Sequence, residues 1–316
     1  MKLLFSTIII SSFLNCALAD SFNFEHIGQS PRGSNVPTSR NVGYSITYTN
    51  KWTAQHHPFR YPSSDPHYSS FLWASHSSDY VMWENGGTAT RGIENVAEIG
   101  SIGALRGEVQ AEQNMGNVLD DVVGSMIGTA FDGATSISNE DLCVDASHPY
   151  VSGLGMVAPS PDWFSGAYNV PLRDETTMTW YRRVRVNVYA WDAGTEDGDN
   201  YQFNNPATTG GVISAFMAGD TEDAVFVSRN GDTLRVLPVA ELLFELEESS
   251  EKCATNTEDP TDTFLITARR SGNLRRRDCE WARGRRRRCR MEIKNEDGEG
   301  SGRPVSEQCP VACAGL

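Results

Sequence analysis

Met156-Val157-Ala158-Pro159-Ser160-Pro161-Asp162-Trp163-Phe164 and, further along, Trp191-Asp192-Ala193-Gly194-Thr195-Glu196-Asp197-Gly198 both set carboxylates inside turns. A proline fixes its own φ and steers its predecessor away from helix, and Gly beside Asp permits a reversal, so these oxygens are held in place. Rigid, converging carboxylates suit a hard divalent cation such as Ca²⁺. Met178, Trp180, Val184, Val186, Val188 and Ala190 mostly keep one parity, the period of a strand. One long strand is therefore expected to lead into Trp191-Asp192 and to leave the acidic turn at its end.

Elsewhere the patterning is also β. Val42, Tyr44, Ile46 and Tyr48 alternate with Gly43, Ser45, Thr47 and Thr49, a half-buried strand that Trp52 closes. Phe71 to Trp83 reads as strand material around a polar turn, while Ile93, Val96, Ala97 and Ile99 have the spacing of a short helix. Val225 and Val227 face Leu234 and Val236 across Arg229-Asn230-Gly231-Asp232, and Asn-Gly between alternating runs signals a hairpin. Val239, Leu242, Leu243 and Leu246 predict a second short helix. Many short strands, Gly and Pro turns and few helices predict a mainly β chain built as an antiparallel β-sandwich over 41–246.

The N-terminus reads as an export signal. Lys2 precedes an apolar run from Leu3 to about Leu14, too short to span about 30 Å of hydrocarbon, and Ala17-Leu18-Ala19 offers a cleavage site. Residues 1–19 are thus expected to be a signal peptide and 20–40, rich in Ser, Asn, Gly and Pro, a flexible lead-in. Loss of Cys16 leaves Cys143, Cys253, Cys279, Cys289, Cys309 and Cys313, an even number that favours disulfides in an exported, extracellular protein. Residues 247–262 read as an acidic linker and 263–316 as a basic, Cys-rich module.

Charge divides the same way. Residues 269–290 hold eleven Arg against Asp278 and Glu280, a balance of +9, within a chain of net charge -14. Once Lys2 leaves, the rest of the chain carries about -24. Such an acidic body argues against nucleic acid as a partner, because phosphate contacts need a basic face. No later segment approaches the apolar length of a transmembrane helix.

The quoted turns, together with Trp52 and His57-Pro58, Trp83-Glu84-Asn85-Gly86-Gly87 and Ile93-Glu94-Asn95-Val96-Ala97-Glu98-Ile99-Gly100, resemble the spondin domain of the F-spondin and mindin extracellular proteins. The resemblance runs from about Val42 to Pro206. It implies a C2-like sandwich with loops gathered at one end and a Ca²⁺ site at Asp162, Asp192 and the position of Glu196. The family has Asp at that third position, so Glu196 departs from its pattern, and Asp197 or Asp199 is an alternative. Without a cation, Asp162 accepts hydrogen bonds in a Ser-Pro turn and the second run is a solvated acidic hairpin. His26, His56, His57, His67, His76 and His148 show no zinc-ligand spacing, and adjacent His56 and His57 are expected on a surface turn.

In the tail, Asp278-Cys279-Glu280-Trp281, Arg288-Cys289-Arg290 and Cys309-Pro310-Val311-Ala312-Cys313 resemble a divergent ShK-toxin-like module. That likeness implies bridges Cys279–Cys309 and Cys289–Cys313. The module's sixth cysteine is lacking, so this likeness gives neither Cys253 nor Cys143 a partner; their pairing is open, and a bridge between them would tie the tail to the sandwich. Arg285, Arg286, Arg287 and Arg288 form a cationic loop suited to two-point contacts with sulfate or carboxylate on polyanions, with a solvated charge run and a processing site as alternatives.

These features predict a secreted, non-catalytic, calcium-binding adhesion or matrix protein whose partners are extracellular glycans or cell-surface proteins. Two alternatives remain open. A hydrolase of glycosidase type would use the carboxylates at separations of about 5 to 9 Å with one pKa raised, although no GxSxG elbow is present. A Ca²⁺-dependent lectin would stack Trp163 or Tyr168 on a sugar ring, though such aromatics are more often core.

Overall fold

The computed structural model describes residues 24–26, 36, 41–128, 132–218, 224–247, 250, 252–253, 263–267, 274–278, 286–295 and 300–304. The sandwich opens with β1 (Phe24–His26), β2 (Val42–Asn50), β3 (His67–Tyr68) and β4 (Phe71–His76). Two helices follow, α1 (Arg91–Ile99) and α2 (Gly103–Met115), then short strands β5 (Val118–Gly124), β6 (Ile127–Gly128), β7 (Thr135–Ile137) and β8 (Leu142–Val144). The long hairpin β9 (Tyr150–Ala158) and β10 (Trp163–Pro171) leads through β11 (Arg173–Asp174) and β12 (Thr179–Trp180) to β13 (Arg183–Val188) and β14 (Ala190–Asp192). After β15 (Ser214–Ala215), the hairpin β16 (Val227–Asn230) and β17 (Thr233–Val236) precedes β18 (Ala240–Glu247).

Fourteen of these strands form two antiparallel sheets, and β11 with β12 and β16 with β17 make separate two-stranded ribbons. The six-stranded sheet runs β1-β13-β18-β2-β7 with β8 also on β2, and the eight-stranded sheet runs β15-β14-β10-β9-β3-β6 with β4 on β9 and β5 on β4. Aromatic side chains lock them face to face: Tyr48 on β2 lies 4.3 Å from Phe71 on β4, and its hydroxyl sits 2.7 Å from Ser165 Oγ on β10. Trp73 on β4 meets Phe244 on β18 edge-on. Large, fully buried rings of this kind dominate core energetics. The antiparallel sandwich expected from the patterning is the architecture of the chain.

Several details differ from expectation. Residues 239–246 form no helix but β18, because Ala240, Leu242 and Phe244 bury one face while Glu241 and Glu245 point out. Those acids pair across the sheet with Arg185 at 3.2 Å and Arg183 at 2.6 Å. The expected strand into Trp191 is broken: β13 lies in one sheet and β14 in the other, and the chain crosses between them at Tyr189. The Asn-Gly hairpin forms one residue out of phase, with Asn230 paired to Thr233 around Gly231 and Asp232. Helix α2 went unread, although Leu105 and Val109 are buried at helical spacing. Trp83 lies in a loop, not in a strand.

His57 is 1% exposed rather than on the surface, since a turn held by its N–H to the Thr53 carbonyl folds it beneath the 237–239 segment. The lead-in is partly structured: β1 pairs with β13, and the carbonyl of buried Val36 accepts from Trp180 N–H. In the 247–262 stretch, Ser250 and Cys253 are buried, and Cys253 is bonded to Cys143, the bridge that the sequence leaves open. Beyond it, β19 (Thr263–Thr267), β20 (Leu274–Asp278), β21 (Glu292–Lys294) and β22 (Gly300–Pro304) make a small sheet ordered β20-β19-β21-β22, with a short helix, α3 (Arg286–Cys289), between β20 and β21. Residues 1–19, read above as a signal peptide, and Arg285, Cys279, Cys309 and Cys313 lie outside the described residues, as do the side chains of Arg286 and Cys289. Among the described residues no helix is long and apolar enough to cross a membrane.

Candidate functional site

Strand register brings the two acidic turns together. β10 pairs with β14 so that Trp163 faces Asp192, which places Asp162 at the mouth of the second turn. The Ala193 N–H donates to the Asp162 carbonyl at 3.1 Å, and a side chain at Gly198 would collide with Pro161. Ser160 Oγ accepts from Trp163 N–H at 3.1 Å, the Ser-Pro turn its sequence dictates. Gly194 has φ +70°, and a Cβ there would lie 2.6 Å from the Val212 nitrogen. Only glycine fits that reversal without strain.

Asp162 is completely buried. Its Oδ2 accepts from the Thr195 N–H at 2.6 Å, the Thr195 hydroxyl at 3.2 Å and the Glu196 N–H at 3.1 Å. Its Oδ1 is buried without a hydrogen-bond partner. Asp192 Oδ1 accepts from Gly194 N–H at 2.8 Å. Burial first, and then the neighbouring Asp162 charge, push the Asp192 carboxyl up to about 6, against the opposing Gly194 N–H donor. An orphaned anionic oxygen beside a second, electrostatically coupled carboxylate is the donor chemistry of a hard cation, so these two residues fit Ca²⁺.

The remaining acids are arranged differently. Glu196 Oε2 accepts from the Asn205 N–H at 3.3 Å, Asp197 accepts from the Thr208 hydroxyl, and Asp199 from the Asn200 amide. The second run is thus clamped by residues 205–208, including an Asp197 N–H to Pro206 carbonyl bond, and is not a free hairpin. Among the described residues no three of His, Cys, Asp and Glu converge as a metal site. The structure joins Asp162 and Asp192 and leaves the Glu196 carboxylate turned to Asn205.

Helix α1 adds a residue that motif reading passed over. Glu98 is raised in pKa by burial and by the charges of Glu196, Glu94 and Asp162, with the Thr195 hydroxyl opposing. Its signal was present in the sequence: Glu94 and Glu98 stand one turn apart, off the face of α1 that buries Ile93, Val96 and Ala97. Trp163 cannot stack on a sugar, because it is fully buried among Tyr201, Phe216 and Phe226. Tyr168 packs against Trp83 and Trp191.

A double-sheet sandwich with carboxylates held at the mouth of paired turns defines a mainly β module whose distinctive chemistry lies in its loops. The Spondin_N family profile matches residues 42–235, and the chain belongs to that family. It is 34% identical to spondin-2 of Homo sapiens over 184 residues, which is 57% of this chain and 54% of that protein. It is 29% identical to spondin-1 of Gallus gallus and 30% identical to that of Mus musculus over 218 residues, 66% of this chain and 26% of each relative. The chain therefore spans about half the length of spondin-2 and a quarter of spondin-1.

Proposed function

We propose that the protein is a secreted, non-catalytic adhesion or extracellular-matrix protein whose sandwich end binds Ca²⁺ through Asp162 and Asp192, with Glu196 as the third carboxylate. The observation that carries the reading is the fully buried, unpartnered Oδ1 of Asp162 beside an Asp192 whose ionisation that neighbour opposes. A bound cation would supply the charge that lets both ionise and would hold the two turns together. Kinship with spondin-1 and spondin-2, the signal-like N-terminus and the Cys143–Cys253 bond support an extracellular setting.

The glycosidase alternative gains a raised carboxyl in Asp192. It loses its second carboxylate, because Asp162 is enclosed and capped by two backbone N–H groups and a hydroxyl. Partner binding is assigned to matrix or cell-surface proteins and, through Arg285 to Arg288, to sulfated glycans. Heparin elution of an Arg-to-Gln variant at the same salt as the parent would remove the glycan assignment.

Thermal unfolding tests the metal. Ca²⁺ at about a hundred times its Kd stabilises by about 2.7 kcal/mol, which raises Tm by about 5–10 °C in a domain of this size. Asp192→Asn is expected to abolish that increase. An identical melting curve with Ca²⁺ and with EGTA would overturn the calcium reading.

A further inference from the structure

An open cavity of about 780 Å³, which shares Glu196 with the candidate calcium site but not Asp162 or Asp192, lies between the C-terminal end of α1, the end of β9 and the 203–204 segment. Its walls combine two features that rarely stand bare together. Ile99, Met126 and Phe203 are 71%, 62% and 50% exposed, and buried Met156 lies in the cavity lining with them. Glu98 and Glu196 line the same cavity, whose described lining contains His67, near Asp65, but no Lys or Arg.

The partners the fold gives these two acids are neutral donors, the Thr195 hydroxyl for Glu98 and the Asn205 N–H for Glu196. Helix α1 ends at this cavity with its partial negative pole and has no basic residue in its last turn. Glu94 and Asp162 add to the same field, since both disfavour the ionised form of Glu98. A cation is the missing complement. The apolar rim is broader than an ammonium ion would cover, whereas the aliphatic stem of Arg or Lys and its neighbours in an extended chain would lie along it. Arg in particular can meet a carboxylate at two points, and it is enriched where protein interfaces are desolvated.

We propose that this cavity is a docking site for an extended segment of a partner protein that sets an Arg or Lys against Glu98 and aliphatic side chains on Ile99, Met126 and Phe203. The inference goes beyond calcium binding and does not require it. Exposure of the three apolar side chains makes them dispensable for folding, so their replacement reports on docking.

The test is fluorescence anisotropy of the full-length secreted chain with a short labelled peptide alternating Arg and Leu, in Ca²⁺ and in EGTA. Binding is expected to weaken about tenfold with Glu98→Gln, and about tenfold when citrulline replaces Arg in the peptide. Ile99→Ser and Phe203→Ser are expected to weaken it about fivefold each, with Tm unchanged. Equal affinity of the parent and Glu98→Gln in both buffers would overturn the proposal, as would failure to bind in either. A chain that self-associates through Glu98, competed by a peptide of its own residues 284–294, would replace the partner protein by a second copy and overturn the proposal in that way.

Discussion

Buried His57, with no close hydrogen-bond partner on either ring nitrogen, has its imidazole pushed down to about 4 by burial, against the Leu237 carbonyl. Unfolded, the same group takes a proton near 6.5. The unfolded chain therefore binds more protons between those values, and His57 costs stability as pH falls from about 6.5 to about 4. His148 behaves oppositely. Its Nδ1 lies 2.8 Å from Asp145 Oδ1 and its Nε2 lies 2.9 Å from the Gly116 carbonyl. Both partners accept, so only the imidazolium donates to each, and the Asp145 bond raises its pKa while burial resists. Its contribution is complete below about 6.5 and fades as pH rises through the raised value. Urea unfolding should show His57→Leu flattening the acid loss and His148→Gln costing more at about pH 5 than at about pH 8. A pH-independent effect in either variant would contradict its assignment. Asp162 and Asp192 were legible in the sequence because Pro and Gly announce their own turns. His57 was not, because its surroundings come from segments remote along the chain, and for Glu98 the helical spacing was visible while its remote neighbours Thr195, Glu196 and Asp162 were not.

Turns and strands show where local pattern suffices and where it fails. Period two identified β2, and the α1 spacing was equally plain. At β18, Leu242, Leu243 and Leu246 also satisfy a helical period, and the decision rests on tertiary partners: Tyr48 and Ile46 opposite Leu242 and Phe244 on one side, Val186 and Val184 on the other. The break at Tyr189 has no signature in parity, because strands that change sheet keep alternating; at the crossing, Ser165 Oγ on β10 donates to the Tyr189 carbonyl at 3.2 Å. The tight reversal after β14 is the element on which the candidate site turns. Gly194→Ala would force a left-handed φ on a side chain and push its Cβ against the Val212 backbone. A cost of about 1–3 kcal/mol is expected from chemical denaturation. Ca²⁺-dependent stabilisation should weaken in parallel, since Thr195 and Glu196 hold Asp162 from that same turn. Undiminished stability would mean that the 210–212 backbone yields freely.

Across the whole molecule, cysteine arithmetic proved more informative than charge. The acidic body and basic tail are real compositional facts, yet among the described residues just past β18 the contacts with the sandwich gather in a short clasp around Cys253. That cysteine is bonded to Cys143 on β8, 110 residues away in sequence. Beside it, Lys252 Nζ lies 2.8 Å from Asp120 and 3.3 Å from Glu140 and donates to the Asp141 carbonyl at 3.1 Å. Ser250 is also buried, and it lies so close to Gly43 that a side chain there would not fit. A crosslink over so long a loop removes much of the unfolded chain's freedom, so Cys143→Ser with Cys253→Ser is expected to cost about 2–5 kcal/mol in urea. The ionic contacts then matter more. Lys252→Met is a surface change worth under about 1 kcal/mol while the bond holds the strand end in place. In the Cys143→Ser, Cys253→Ser background no crosslink keeps Lys252 beside Asp120, and the same substitution should release the clasp, measured as a non-additive loss in a double-mutant cycle. Strict additivity would mean that the bridge and the lysine act on separate parts of the structure, and the clasp would reduce to a disulfide alone.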